Sequence, residues 1–115
     1  MSCRSRYDAS TPTRSWQAVV NAMSDGNLQK LHELVCNEEY YKREYGRSTR
    51  EQIIAQGKRM SKVSLSHWYY ETDHNYADLI VTTHDKLHKE TIYKIRYYFF
   101  RMNNQWKFCG TPLIE

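Results

Sequence analysis

The chain has 115 residues, enough for one compact domain with its own hydrophobic core and too few for two. Hydrophobic residues make up 40% and charged residues 26%. The net charge is +4, with Lys and Arg spread along the chain, so we expect no nucleic-acid partner. No apolar run approaches the roughly 18 residues of a membrane helix, and the polar start lacks a signal-peptide core. We therefore expect a soluble cytoplasmic protein with no membrane partner, or a secreted one if a leader was removed.

Residues 1–11 are polar and are expected to be disordered, which leaves 12–115 as a single domain. The segment "TPTRSWQAVVNAM" predicts a first helix with Thr11 as its cap and Pro12 at its first position. Its apolar residues recur at a spacing that forms one stripe: Trp16, Val19, Val20 and Met23.

The chain between residues 24 and 60 predicts two further helices. After the turn "SDGN", a short second helix is indicated by the spacing of Leu28, Leu31, Leu34 and Val35. The segment "CNEEYYKREYGR" breaks that pattern and is interpreted as an aromatic loop. Ser48 with Glu51 three residues later is a capping-box signal that opens a third helix ending near Met60.

From Ser61 onward the apolar period changes from about 3.6 to about 2, which predicts strands. We place four antiparallel strands at roughly 61–71, 75–84, 91–102 and 105–112. Asn103 and Asn104 suit a two-residue turn because asparagine tolerates a positive φ. Helices followed by a meander of strands is an α+β pattern, in which helices pack on one face of a curved antiparallel sheet.

The three cysteines Cys3, Cys36 and Cys109 show no ligand spacing for zinc, and we predict no metal and no cofactor. A disulfide between Cys36 and Cys109 is conceivable in an oxidising compartment. Two buried free thiols are the preferred interpretation.

Four segments carry a resemblance to a known family: "SWQAVVNAM", "SDGNLQKLHELV", "STREQIIAQ" and the closing "YYFFRMNNQWKFCG" with Trp106. Their order, from about Pro12 to the end, resembles the nuclear transport factor two-like family, the cone-shaped fold shared with ketosteroid isomerases and polyketide cyclases. The resemblance implies three N-terminal helices packed on a curved four-stranded antiparallel sheet. It further implies a pocket inside the cone and an outer sheet face that pairs with a second subunit.

Strand parity sorts the side chains of the predicted sheet onto two faces. The apolar inner set includes Ala77, Leu79, Tyr97, Phe99, Trp106 and Phe108. The outer face holds the interface candidates Trp68, Tyr70, Ile80, Arg96, Tyr98 and Phe100. Aromatic patches mark interaction surfaces, although cross-strand pairing alone also favours surface aromatics. We favour a non-catalytic protein-interaction domain that homodimerises through this outer face, with another protein as a further possible partner.

The alternative is a small-molecule-binding protein or a lyase/isomerase-like enzyme with a pocket inside the cone. Its pocket candidates are Tyr40, Tyr41, His67, Tyr69 and Tyr97. The family's enzymes hold an acid or base inside the cone, and here only His67 is a catalytic candidate, since no inner carboxylate is found. A single core histidine is more often structural, and large inward side chains fill a small cone.

The segment "YYKREYGRSTR" interleaves Tyr with Lys and Arg, as single-strand nucleic-acid binders do. Glu38, Glu39 and Glu44 dilute its positive charge, so a solvated loop is the preferred interpretation.

Overall fold

The computed structural model describes residues 6–62, 68–73, 75–84 and 91–110, with side chains described for 6–62, 75–80 and 95–110. Within these ranges the chain is α+β, as expected, with four helices followed by four strands. The helices are α1 Pro12–Asp25, α2 Leu28–Leu34, α3 Glu38–Tyr45 and α4 Arg50–Met60. The strands are β1 Trp68–Asp73, β2 Tyr76–His84, β3 Thr91–Met102 and β4 Gln105–Phe108. None of the helices in the described ranges has the length and apolar character to cross a membrane.

Helix α1 begins and ends where its sequence places the signals. The Thr11 side chain accepts a hydrogen bond from the Arg14 backbone N–H, and Pro12 occupies the first turn. Gly26 ends the helix with φ 69°, a left-handed conformation that glycine adopts at little cost. The predicted stripe is buried, at 2% exposure or less: Trp16, Val19, Val20 and Met23. Both the predicted cap and the predicted stripe are confirmed.

The segment interpreted as an aromatic loop is helix α3, so the prediction of three helices on a four-stranded sheet is wrong. Asn37 caps α3 by accepting a hydrogen bond of 2.8 Å from the Tyr40 backbone N–H. Two glutamates lie in its first turn and Lys42 and Arg43 in its last, which complements the helix dipole. The missed signal was this charge order, because the helix buries only Tyr40 and Tyr45 and has no aliphatic stripe.

Helix α4 carries the predicted capping box one residue later than predicted. The Gln52 N–H donates to Thr49 Oγ1 at 3.1 Å, and the Thr49 N–H donates to Gln52 Oε1 at 2.9 Å. The prediction of Ser48 and Glu51 as the box is therefore wrong by one position. Two overlapping pairs, Ser48 with Glu51 and Thr49 with Gln52, fit the capping-box pattern, so the sequence alone does not distinguish them.

The sheet has the order β1-β2-β3-β4 with every pair antiparallel. Its register places Phe99 opposite both Ala77 of β2 and Phe108 of β4. Asn103 and Asn104 join β3 to β4 with φ of 52° and 64°, which confirms the two-residue turn. The sequence between α2 and α3 continues the sheet beyond β4, because the Cys36 N–H donates to the Phe108 carbonyl at 2.9 Å.

The inner face of the sheet packs against the helices as strand parity predicted. Its described core members are at most 6% exposed: Ala77, Leu79, Phe99, Trp106 and Phe108. Buried Ser15 of α1 donates from Oγ to the Trp106 carbonyl at 2.7 Å, which ties α1 to β4. The core therefore lies between α1 and the strands β2 to β4.

Residues 6–11 lie against this core. Ala9 is 6% exposed, and its carbonyl accepts a hydrogen bond of 2.9 Å from the Trp106 N–H. Arg6 pairs with Asp25 at 3.0 Å, and this contact lowers the pKa of the Asp25 carboxyl. The division of the chain into 1–11 and 12–115 stays a prediction.

Candidate functional site

An aromatic cluster lies on the outer face of β2 and β3. The ring of Tyr76 stacks on Tyr98 with centroids 5.7 Å apart and planes at 24°, and it meets Phe100 at 5.2 Å. All three side chains are half-buried. We call Tyr76, Tyr98 and Phe100 the outer cluster. Tyr76 was not among the interface candidates, although its parity with Asp78 and Ile80 was a signal for the same face.

The other interface candidates surround the outer cluster where the structure describes them. Ile80 is half-buried and Arg96 is exposed, and the two are register partners. Trp68 and Tyr70 belong to β1, but their side chains lie outside the described residues. Met102, two residues beyond Phe100, is 43% exposed and extends the apolar surface.

A cavity of about 230 Å³ opens on the inner side, between α3, α4 and the sheet. We call it the tyrosine pocket, because its walls include Tyr40, Tyr45 and Tyr97. Arg43, Gln56 and Met60 also line it. The structure thus brings together two of the predicted pocket residues, Tyr40 and Tyr97, and adds Tyr45.

Of the remaining pocket candidates, Tyr41 is not among the described residues that line this cavity. Tyr41 belongs to α3 but packs its ring on His32, with centroids 4.5 Å apart. His67 lies outside the described residues, as does the side chain of Tyr69. The structure therefore provides no described histidine for the tyrosine pocket, and catalysis by His67 stays a prediction.

The phenols of Tyr40 and Tyr45 in the tyrosine pocket are protonated at neutral pH. Burial raises the pKa of Tyr40 and of Tyr45 well above the ordinary value of 10.0, and their rings meet edge to face with centroids 6.4 Å apart. Arg43 places its guanidinium 5.6 Å from the Tyr40 ring centroid. These groups can donate hydrogen bonds to an acceptor, but they cannot serve as bases near pH 7.

Cys36 and Cys109 form a disulfide with a Cα separation of 5.1 Å, within the usual range of about 4.4 to 6.8 Å. The preferred prediction of two free thiols is therefore wrong. The bond joins the residue before the α3 cap to the residue after β4. A groove of about 330 Å³ opens beside it, with Asn37, Glu39 and Arg43 in its walls. No group of three or more metal-ligating side chains occurs in the described part of the chain.

The basic and aromatic segment at residues 40–50 has its aromatic rings largely inside the protein. Tyr40 and Tyr45 are at most 8% exposed, so their faces are not available for stacking on bases. Exposed Arg43 lies 3.6 Å from the carboxylate of Glu44. The absence of a nucleic-acid partner stays a prediction, and this geometry agrees with it.

Comparison with known proteins gives one structural likeness. No family model and no curated protein matches the sequence. The fold is similar to the solution structure of a SEC-C motif containing protein from Rhodopseudomonas palustris, with a TM-score of 0.54 and 11% sequence identity. The match covers 94% of this chain and 82% of that chain. At this identity the likeness shows a shared fold alone.

The resemblance to the nuclear transport factor two-like family is therefore wrong. A solved structure with a similar fold is that of a SEC-C motif containing protein, and no family model matches the sequence. The assignment depended on the order of elements, with no diagnostic motif, and that order included a loop where α3 lies. An order of helices and strands is a weak family signal, because many α+β domains share it.

Proposed function

We propose that this protein is a non-catalytic interaction domain that forms a homodimer through the outer face of β2 and β3. The observation that supports the proposal is the outer cluster. Its rings contact one another on the face opposite the core, whereas Phe99, between Tyr98 and Phe100, is fully buried. The core is filled from the inner face, and the outer rings lie on the opposite face of the sheet. Aromatic residues of this kind contribute much of the energy of protein association.

The charges on this face support a second copy of the chain as the partner. In a two-fold dimer, each surface meets itself, so a residue pair must be complementary across the axis. The outer face of β2 and β3 carries one carboxylate, Asp78, and one guanidinium, Arg96, among the residues whose side chains are described. Neither makes an ion pair with another described side chain. Asp78 of one copy is therefore suited to meet Arg96 of the other.

Analytical ultracentrifugation across micromolar concentrations tests the dimer. We expect the wild type to dimerise, and Phe100→Glu and Tyr98→Glu to weaken association by about 100-fold, because a carboxylate replaces an aromatic ring in a desolvated contact. Gln17→Glu is the matched control, since it adds the same charge at an exposed site on α1. A wild type that is monomeric at high micromolar concentration would contradict the proposal.

Charge exchange tests the partner's identity. Asp78→Arg and Arg96→Asp should each weaken the dimer, because each single change places like charges across the axis. The double variant should recover most of the wild-type affinity. If the double variant is no better than either single variant, this pair does not meet across a two-fold axis.

The tyrosine pocket favours a second candidate function, the binding of a small neutral molecule. The observation that supports this second function is the cavity of about 230 Å³ with three phenols in its walls. Because the phenols of Tyr40 and Tyr45 stay protonated, they suit a carbonyl oxygen on a ligand of one ring. A cavity of about 150 Å³ already accepts benzene, so this size is sufficient.

Thermal unfolding with a panel of single-ring ketones and amides tests this candidate. We expect a raised Tm for the wild type and a smaller rise for Tyr45→Phe, which loses one donor. Tyr41→Phe is the control, because Tyr41 is on the same helix but does not line the pocket. Equal shifts in all three proteins would exclude the pocket as the binding site.

A further inference from the structure

The disulfide connects a lightly packed helix to the sheet. Cys36 immediately precedes Asn37, the cap of α3, and Cys109 immediately follows β4. Of the eight residues in α3, only Tyr40 and Tyr45 are buried. A helix of this length has little stability of its own, so its position depends on its attachments. The covalent link lies at the start of this helix.

We propose that the Cys36–Cys109 disulfide is a thiol–disulfide exchange site for small anionic thiols, and that its reduction loosens α3. Both cysteines are half-buried, so their sulfur atoms are not sealed in the core. The neighbouring groove of about 330 Å³ is within the range of small-molecule sites, roughly 300 to 1,000 Å³. A peptide-sized thiol is therefore matched to the groove in volume.

The groove has one charge of each sign among its described lining residues, so an anionic thiol would place its carboxylates beside Arg43 and away from Glu39. Arg43 is the cation among the described lining residues, and Glu39 is the carboxylate. A cation near the attacked bond favours the thiolate form of the incoming thiol and stabilises the departing protein thiolate. Arg43 therefore supplies the attraction, and Glu39 limits the orientation in which an anionic thiol can approach.

The exchange is balanced in two steps. A small thiolate attacks one sulfur of the disulfide, forms a mixed disulfide and releases the other protein sulfur as a thiolate. A second small thiolate attacks the small-thiol sulfur of that intermediate and releases the second protein thiolate. Two electrons pass from the small thiols to the protein, and the products are a small-molecule disulfide and two cysteines that take protons from water.

The contacts that remain after reduction explain why α3 would loosen without global unfolding. The Cys36 N–H still donates to the Phe108 carbonyl, and Tyr40 still packs on Gly110. The buried core between α1 and the sheet includes neither Cys36 nor Cys109, since both are only half-buried. Loss of the link therefore acts first on α3 and on the tyrosine pocket, for which α3 supplies Tyr40 and Tyr45.

A titration in glutathione buffers at constant pH, without denaturant, tests the proposal. Free thiols are alkylated at each potential and counted by mass spectrometry, and amide hydrogen exchange is followed in the same samples. We expect reduction of the folded protein, with exchange of the α3 amides faster by about tenfold and exchange in α1 unchanged. Resistance to reduction in the folded state, unchanged α3 exchange, or equal acceleration in α1 would each overturn the proposal.

Five variants give the test its controls. Cys36→Ser and Cys109→Ser should each reproduce the faster α3 exchange without any reductant, whereas Cys3→Ser should behave as the wild type. Arg43→Gln should slow reduction by glutathione about threefold and leave reduction by uncharged 2-mercaptoethanol unchanged. If Arg43→Gln changed the rate of reduction by both thiols equally, the proposed attraction of anionic thiols by Arg43 would be wrong. The same titration on Phe100→Glu separates this result from dimer formation.

Discussion

The two faces of β2 and β3 place aromatic residues in opposite situations. On the inner face, Phe99 is fully buried, and its ring meets Phe108 with centroids 5.5 Å apart. On the outer face, Phe100 is only half-buried and meets Tyr76. The two phenylalanines are adjacent in sequence, yet Phe99 packs beneath the helices, whereas Phe100 contacts a ring of the neighbouring strand β2.

This difference shows how one aromatic strand can have two roles. Residues on its inner face stabilise the fold, and residues on its outer face are placed to contact a partner. The inner rings have partners from helices as well as strands, as in the contact of Trp16 with Tyr97 at 6.2 Å. The described ring contacts of the outer cluster come from the sheet itself. Since successive side chains in a strand point to opposite faces, a substitution can affect one role with little effect on the other.

Truncation of the two adjacent phenylalanines should give the largest contrast. Phe99→Ala should lower the free energy of unfolding by about 3 to 5 kcal/mol, because it removes a fully buried ring and leaves a cavity. Phe100→Ala should lower it by only about 1 kcal/mol, since it removes a half-exposed cross-strand contact. Urea denaturation at low protein concentration measures both values for the monomer.

A second adjacent pair controls for effects peculiar to phenylalanine. Leu79 is fully buried on the inner face, and Ile80 is half-buried on the outer face. Leu79→Ala should therefore destabilise the monomer more than Ile80→Ala does. Equal losses in both pairs would mean that the outer face is as important to the monomer as the inner face, and the comparison would fail.

The inner face and α1 could be predicted from the sequence because their signals are local. Thr11, Pro12 and the i, i+3, i+4 spacing identify a capped amphipathic helix within one short window. Alternation identifies Leu79 and Phe99 as inner residues, and Asn103-Asn104 identifies a turn, again from near neighbours. Each of these features is specified by residues that are close in the chain.

The candidate sites were only partly predictable because they join distant segments. Tyr40 and Tyr97 were expected in one pocket, but Tyr45 was missed, since the segment was interpreted as a loop and no helical face was considered. Cys36 and Cys109 are 73 positions apart, and spacing alone cannot show whether the fold brings them together. A reducing compartment favours free thiols, but the fold brings the two Cα atoms to 5.1 Å and the cysteines pair.

Gly57 of α4 lies at the close contact between α4 and α1, on the helical side of the core. A Cβ at this position would lie 2.5 Å from the Ser24 backbone nitrogen and 2.7 Å from Met23 Cβ, so α1 and α4 would have to separate. Alanine favours a helix over glycine by about 1 kcal/mol, whereas overpacking costs about 1 to 3 kcal/mol. We expect Gly57→Ala to lower the free energy of unfolding by about 1 kcal/mol.

Chemical denaturation of Gly57→Ala beside Lys58→Ala separates the two effects. Lys58 is the exposed neighbour on the same helix, so its substitution should change stability by less than about 0.5 kcal/mol. A net stabilisation by Gly57→Ala would show that helix propensity exceeds the cost of the contact. In that case α1 and α4 could separate enough to accept the added methyl group at little cost.

Ionisation of the buried tyrosines should give an effect that is absent at neutral pH and confined to alkaline pH. Burial raises the pKa of Tyr40 and Tyr45 in the folded state, so above the ordinary value of 10.0 the unfolded chain releases protons that the folded chain retains. The stability contributed by these groups is complete below that value and falls as pH rises beyond it. The slope for one such group is at most about 1.4 kcal/mol per pH unit.

Denaturation curves at pH 7, 10 and 11 check this sign. Tyr45→Phe should lose less stability than the wild type between the two alkaline values, because one of the two retained protons is absent. At pH 7 the same variant should lose at most about 1 kcal/mol, because it lacks one buried hydroxyl. If both proteins lose the same stability between pH 10 and 11, Tyr45 ionises as freely in the folded chain as in the unfolded one. That result would mean that the Tyr45 hydroxyl is not shielded from solvent in the folded protein.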